Sequence, residues 1–157
     1  MKGFSISIFM FAIFSACTQP VVYQNQVDLK NRSWLFSEKP TFTFNIEDTT
    51  AGYDLFLLVR NEIDYPNANL YFNFHLQDPK GITLEKKLQS EFLFEKKTGK
   101  PFGKSGLGDI YDHAFPTLKN YHFPSPGNYT FTVEQFMRTD TLRGILSIGL
   151  LVDKERL

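Results

Sequence analysis

Apolar and polar residues alternate in short runs along most of this chain. Thr41-Phe42-Thr43-Phe44-Asn45-Ile46 alternates strictly, the two-residue period of a strand with one buried face. Leu70-Tyr71-Phe72-Asn73-Phe74-His75-Leu76 does the same, with Leu70, Phe72, Phe74 and Leu76 expected inward and His75 on the polar, solvated side. Asn128-Tyr129-Thr130-Phe131-Thr132-Val133-Glu134 places Tyr129, Phe131 and Val133 on one face. Leu55-Phe56-Leu57-Leu58-Val59-Arg60 is continuously apolar and short, which predicts a strand buried on both faces rather than a helix. Residues 82–88 read as a strand pairing back across the turn Asp78-Pro79-Lys80-Gly81, a further short strand is expected at 91–94, and residues 146–152 close the domain. Residues 23–29 have the composition of an edge strand, and Trp34, Leu35 and Phe36 are expected to fold back onto the body. No long stretch carries a helical period.

Turn clusters punctuate these runs: Glu47-Asp48-Thr49-Thr50-Ala51-Gly52, residues 61–69, and Pro124-Ser125-Pro126-Gly127. Residues 95–117 are glycine-rich and read as one long irregular loop, a length that is uncommon without a function. Roughly seven to nine short strands separated by turns predict an all-β fold, a single antiparallel β-sandwich of immunoglobulin-like or jelly-roll-like kind.

The first residues follow a different pattern. Lys2 supplies a positive charge, residues 4–14 are apolar but for Ser5 and Ser7, and Ser15-Ala16 precede Cys17. The apolar run is far shorter than the roughly 20 residues of a spanning helix, so it reads as a signal peptide. Cys17 is the single cysteine of the chain and cannot form an internal disulfide. Phe14-Ser15-Ala16-Cys17 resembles the bacterial lipobox, with Phe14 where leucine is usual. The resemblance implies cleavage before Cys17 and acylation of its thiol, and each acyl methylene buried in a bilayer contributes about 0.8 kcal/mol. It also implies the outer membrane, because Thr18 stands where an inner-membrane retention signal has Asp, and the periplasmic face, because no acidic run follows Cys17. The expected organisation is a signal peptide at 1–16, a lipidated segment with a possible edge strand at 17–40, and the sandwich at 41–157.

Composition adds three constraints. The length remaining after cleavage suits one domain. Seventeen acidic and seventeen basic side chains cancel, leaving no basic field for nucleic acid. Aromatics are 16% of the chain, with 17 Phe and 7 Tyr, which favours a β-rich core.

Ser33-Trp34, Phe44-Asn45-Ile46-Glu47-Asp48-Thr49-Thr50, Val59-Arg60-Asn61, Asp64-Tyr65-Pro66-Asn67-Ala68-Asn69-Leu70-Tyr71, Gly106-Leu107-Gly108-Asp109-Ile110-Tyr111-Asp112, Phe123-Pro124, Val133-Glu134-Gln135-Phe136-Met137-Arg138 and Leu142-Arg143-Gly144-Ile145 occur in that order. Together they resemble the gliding-motility lipoprotein family GldH of the Bacteroidetes, over nearly the whole chain. The resemblance implies a β-sandwich lipoprotein of the envelope, needed for gliding and grouped with machinery that depends on type IX secretion. It carries no catalytic residues with it.

Candidate chemistry is thin. Gly99-Lys100-Pro101-Phe102-Gly103-Lys104-Ser105 has three residues between its glycines where a phosphate loop needs four, and Pro101 removes a backbone donor. Asp109, Asp112 and His113 lack the further ligands of a calcium or zinc site, and their carboxylates are expected to hold the glycine loop through backbone amides. His75, His113 and His122 have no nucleophile elbow near them. The expectation is therefore a protein that is not an enzyme and has no metal or cofactor. Its partners would be the membrane, through acylated Cys17, and other proteins of the gliding machinery, met by a loop centred on Gly106, Gly108, Asp109, Tyr111 and Asp112 with apolar anchors. A different class of function is a carbohydrate- or peptidoglycan-binding module, with Trp34, Tyr53 and Tyr65 as candidate rings.

Overall fold

A computed structural model describes residues 21–106 and 108–155. The signal-peptide, lipobox and Cys17 readings, and Leu107, lie outside those residues. The described chain is all strand apart from turns and one 3-10 turn at Lys30–Arg32. Its strands are β1 (Val21–Asp28), β2 (Ser33–Leu35), β3 (Thr41–Ile46), β4 (Tyr53–Glu62), β5 (Asn69–Gln77), β6 (Thr83–Phe92), β7 (Lys104–Ser105), β8 (Ile110–Tyr121), β9 (Gly127–Gln135), β10 (Thr141–Arg143) and β11 (Ile145–Lys154).

Two sheets face each other. One has the order β1-β11-β4-β8-β7 and the other β3-β9-β5-β6; β10 and β2 form a two-stranded ribbon. All pairings are antiparallel. The expected β-sandwich is what forms. The alternating segments supply the facing layers: Leu70, Phe72, Phe74 and Leu76 of β5 and Tyr129, Phe131 and Val133 of β9 are buried from one sheet. Leu55, Leu57 and Val59 of β4 and Ile148, Leu150 and Val152 of β11 are buried from the other. Phe74 stacks on Phe131 with ring centroids 5.2 Å apart. Phe44, Tyr53, Tyr129 and Tyr121 all pack around Phe123, which joins both layers at one end. Full burial of each such side chain stabilises the fold by about 1.5–3 kcal/mol.

β4 departs from the expected burial on both faces. Its burial alternates along all 10 residues, and Phe56 and Leu58 stay half-buried on the outer side. Among the described residues that side faces no further sheet, so only one parity of β4 reaches the core.

The ends of the sandwich are distinct. Val21 pairs with Asp153, and Tyr53 with Lys154, at one end. Ile145 pairs with Asn61 at the other. The first end also carries the turn at 78–82, where Asp78 Oδ1 accepts the Lys80 and Ile82 amides at 2.9 and 2.8 Å. The opposite end carries residues 62–69, 93–110 and 135–144 together with the β2–β10 ribbon.

Candidate functional site

Residues 95–117 are not the long loop that their composition predicts. Phe94 and Pro101 form a bridge, β7 pairs with β8 at Lys104↔Asp112 and Ser105↔Tyr111, and residues 110–121 are one 12-residue strand against β4. Tyr111 and Asp112 therefore belong to a strand, while Gly106, Gly108 and Asp109 form the turn that leads into it. The reason is His113. Tyr111, His113, Phe115 and Thr117 share the inward parity of β8, and a polar imidazole in that row breaks the apparent alternation.

The turn is held by main chain. The Gly106 N–H donates to the Ile110 carbonyl at 2.8 Å, and the Ile63 N–H donates to the Asp109 carbonyl at 2.8 Å. Gly108 has φ of 71°, a left-handed conformation that only glycine adopts freely. Asp112 was expected to bond backbone amides, but its carboxylate takes a two-pronged contact from Arg60, Nε–Oδ1 2.7 Å and Nη2–Oδ2 3.1 Å. The pair stands on the outer side of the five-stranded sheet with both side chains about two-fifths exposed, where such pairs contribute at most about 1 kcal/mol. Asp112 and Asp109 border different clefts, the former beside Gln24, Gln26 and Lys104, the latter beside Arg32 and Glu62. Gly106 lies beside the Asp112 carboxylate, where an added Cβ would stand 3.7 Å from Oδ2, while Tyr111 takes the opposite parity of β8. Among the described residues no three His, Cys, Asp or Glu side chains cluster as metal ligands.

His113 is a structural centre. It is 8% exposed, its Nε2 lies 2.9 Å from Asn61 Oδ1, and its ring stacks on Phe115 at 5.2 Å. Asn61 is fully buried and donates through Nδ2 to the Glu62 carbonyl at 2.8 Å, so its Oδ1 is left to accept from a neutral His113. A Cβ on Gly103 would come within 2.6 Å of His113 Nε2, so the backbone just before β7 lies close against the ring. Burial pushes the His113 pKa down, opposed in part by the neighbouring Asp112 charge. An unfolded histidine titrates near about 6.5. Because the folded value is lower, the unfolded state binds the proton first. The neutral ring's contribution is complete above about pH 6.5 and is lost as pH falls towards the folded pKa. Urea denaturation at pH 7.5 and pH 5 is expected to show a loss of stability on acidification that His113→Gln reduces. Glu134, held low chiefly by Lys39, and Asp48, held low chiefly by Lys154, act in the same direction only at lower pH.

His75 is half-buried rather than fully solvated, 3.5 Å from Glu134. Trp34, Tyr53 and Tyr65, the rings expected to meet sugar, are 0%, 2% and 5% exposed and belong to the core.

Exposed aromatic rings lie elsewhere; Phe36, Phe92 and Phe102 are among them, and two others share one face. Tyr71, Phe136 and Leu88 are 42%, 51% and 48% exposed on the outer side of the four-stranded sheet. They line a cleft of about 680 Å³ with Met137, Arg138 and Arg143. The Phe136 N–H donates to the Tyr71 carbonyl at 2.8 Å, which extends the β9–β5 ladder by one rung and sets the two rings on neighbouring strands. Leu88 reaches the same side because β6 pairs Asn73↔Leu88 and Phe72↔Gln89. On β6 the inward parity is Glu85, Lys87, Gln89 and Glu91, so Leu88 points away from the core, while Leu84, beside the bulge, packs against it. Sequence reading missed this cleft because a one-residue difference in register decides which side Leu88 takes.

Among the described residues no helix is long and apolar enough to cross a membrane. Residues 21–152 match the family model of the GldH lipoproteins. The chain is 29% identical to the gliding motility lipoprotein GldH homolog of Christiangramia forsetii, covering 98% of this chain and 97% of that protein. It is 22% identical to the gliding motility lipoprotein GldH of Flavobacterium johnsoniae, covering 99% and 98%. With a matched region that runs from the first residue of β1 almost to the end of β11, the chain belongs to the GldH lipoprotein family.

Proposed function

We propose that this protein is a non-catalytic, lipid-anchored component of the gliding apparatus linked to type IX secretion, held on the periplasmic face of the outer membrane by acyl chains on Cys17. The observation that carries the reading is the position of β1. Val21, four positions after Cys17, is already paired with Asp153 in the sheet. Four residues span at most about 14 Å. With Cys17 acylated, the Val21 end of the sandwich is kept within that distance of the bilayer, and strands of 8–10 residues are long enough to put the other end roughly 25–33 Å further out. A domain held at that distance, with its buried histidine engaged by Asn61, is suited to presenting a surface to other proteins of the envelope.

The test is Cys17→Ser in the native bacterium. Labelled palmitate is expected to enter the wild-type protein but not the variant, the variant to leave the outer-membrane fraction, and colony spreading to stop. A Cys17→Ser protein that remains in the outer-membrane fraction and supports spreading would remove the anchor from the function.

A further inference from the structure

The cleft on the outer side of the four-stranded sheet has features that solubility and folding do not require. Its floor is apolar and crosses three strands: Phe136 just beyond β9, Tyr71 on β5 and Leu88 on β6. Met137 closes the floor, with its Sδ 3.2 Å from the Tyr71 amide nitrogen. Two exposed guanidinium groups, Arg138 and Arg143, stand at its border, and no carboxylate lines it. Among the described residues neither arginine forms an ion pair, whereas Arg32 and Arg60 do. Arg143 also faces the adjoining cleft, which contains Glu38, Glu62 and Asp64. Arg138 borders the apolar cleft alone. In a chain with zero net charge, this is a local excess of positive charge beside exposed rings.

We infer that this cleft is a docking site for an extended segment of another protein, one that places apolar side chains on Tyr71, Leu88 and Phe136 and a carboxylate against Arg138. Charge complementarity selects this occupant. A second copy of the chain, packed about a two-fold axis, would bring the same lining against itself, with two arginines and no carboxylate to meet them. The protein's own N-terminal segment departs from Val21, at the opposite end of the strands. If Cys17 is acylated, the residues between it and Val21 are too few to reach the cleft. The position also fits, since the cleft lies towards the end of the sandwich remote from Val21, where a membrane-tethered domain meets other proteins. The site adds a partner chemistry to the proposed function, and its rings and arginines do not depend on how the chain is anchored. Exposed aromatic and arginine side chains are the residue types that dominate protein interfaces.

The experiment is site-specific photocross-linking in living cells, with benzoylphenylalanine at position 136 or, as a control on the other sheet, at position 24. Cross-linked peptides are mapped by mass spectrometry. The expected result is an adduct from position 136, absent from position 24, in which the linked segment of a different protein carries Asp or Glu within a few residues of apolar side chains. Arg138→Glu should lower that adduct by about tenfold, and a Glu→Lys change in the mapped segment should restore it to the Arg138→Glu protein. Adducts to a second copy of this chain, to lipid or to glycan would overturn the proposal. So would an adduct insensitive to Arg138→Glu, or no difference between the two positions. Membrane fractionation of each variant separates failure of the anchor from failure of the cleft, and thermal unfolding by circular dichroism confirms that each is folded.

Discussion

Trp34→Ala is expected to remove about 3–5 kcal/mol of stability, the range for deleting a large ring from a packed site. Trp34 is 0% exposed, although its neighbours Leu35 and Phe36 are 39% and 49% exposed. Its indole Nε1 donates to the Glu38 carbonyl at 3.0 Å, which ties down the turn before β3. Its strand, β2, pairs with β10 through Trp34↔Leu142, and Leu142 is itself buried. Loss of the ring leaves a cavity beneath a two-stranded ribbon and an unpaired carbonyl. A domain of this size has only about 5–15 kcal/mol in total, so the midpoint temperature should fall by roughly 10–20 °C. Trp34→Phe keeps most of the volume and should lose less than half as much. Far-ultraviolet circular dichroism during urea unfolding reads both. A Trp34→Ala loss under about 1 kcal/mol would show that the ribbon lies outside the cooperative unit.

The sequence pattern makes some of these features visible and hides others for identifiable reasons. β3, β5 and β9 are visible because each buries one parity of apolar residues against an outer parity that is polar but for Tyr71 on β5, and Asp78 and Gly81 mark the hairpin by their own chemistry. β8 is hidden because the polar residues of its buried face, His113 and Thr117, are satisfied by groups on β4. His113 meets Asn61 side chain to side chain, and the Thr117 hydroxyl donates to the Leu55 carbonyl at 2.9 Å. Such pairing appears only when the two strands are set side by side. Pro116 adds to the concealment. It is tolerated because β7 covers only Tyr111 and Asp112, leaving the rest of that edge of β8 without a strand neighbour.

The candidate site was legible only in part for a related reason. Gly106, Gly108 and Asp109 do form a turn, but Asp112 belongs to an outward ion pair with Arg60. Trp34, Tyr53 and Tyr65 looked available for ligands because their sequence neighbours are polar. In the fold their polar tips reach the main chain, Tyr53 Oη to the Asp48 carbonyl at 2.6 Å and Tyr65 Oη to the Asn69 carbonyl at 3.0 Å. This lets whole rings enter the core. The exposed rings Tyr71 and Phe136 sit beside buried residues in sequence, Leu70 and Phe72 for the one and Gln135 for the other, so single-sequence periodicity does not set them apart.

Gly144→Val is expected to be nearly as damaging as loss of Trp34, and its effect should reach the cleft. Gly144 has φ of 79°, a conformation costing an L-residue about 1–2 kcal/mol and worse for a β-branched one. Its backbone also leaves no room. A Cβ would stand 3.0 Å from the Tyr65 Cα and 3.3 Å from both its backbone nitrogen and its Cβ. Tyr65 cannot yield easily, because its ring is stacked on Phe94 at 6.4 Å and its hydroxyl is bonded to Asn69. Overpacking of this kind costs about 1–3 kcal/mol more, for a total of roughly 2–5 kcal/mol. The site matters because Gly144 is a junction: its N–H donates to the Arg32 carbonyl at 2.8 Å and its carbonyl accepts the Glu62 amide at 2.9 Å. Displacing it moves Arg143 and the Pro66-Asn67 wall of the cleft. Gly108→Val is the matched control, since Gly108 has a similar φ of 71° and nothing within 4 Å of the added Cβ. It should cost only the conformational share. If the two valine variants unfold at the same urea concentration, crowding against Tyr65 contributes nothing; a larger loss at Gly144, with faster hydrogen exchange at Glu62 and Tyr65, is the outcome this packing requires.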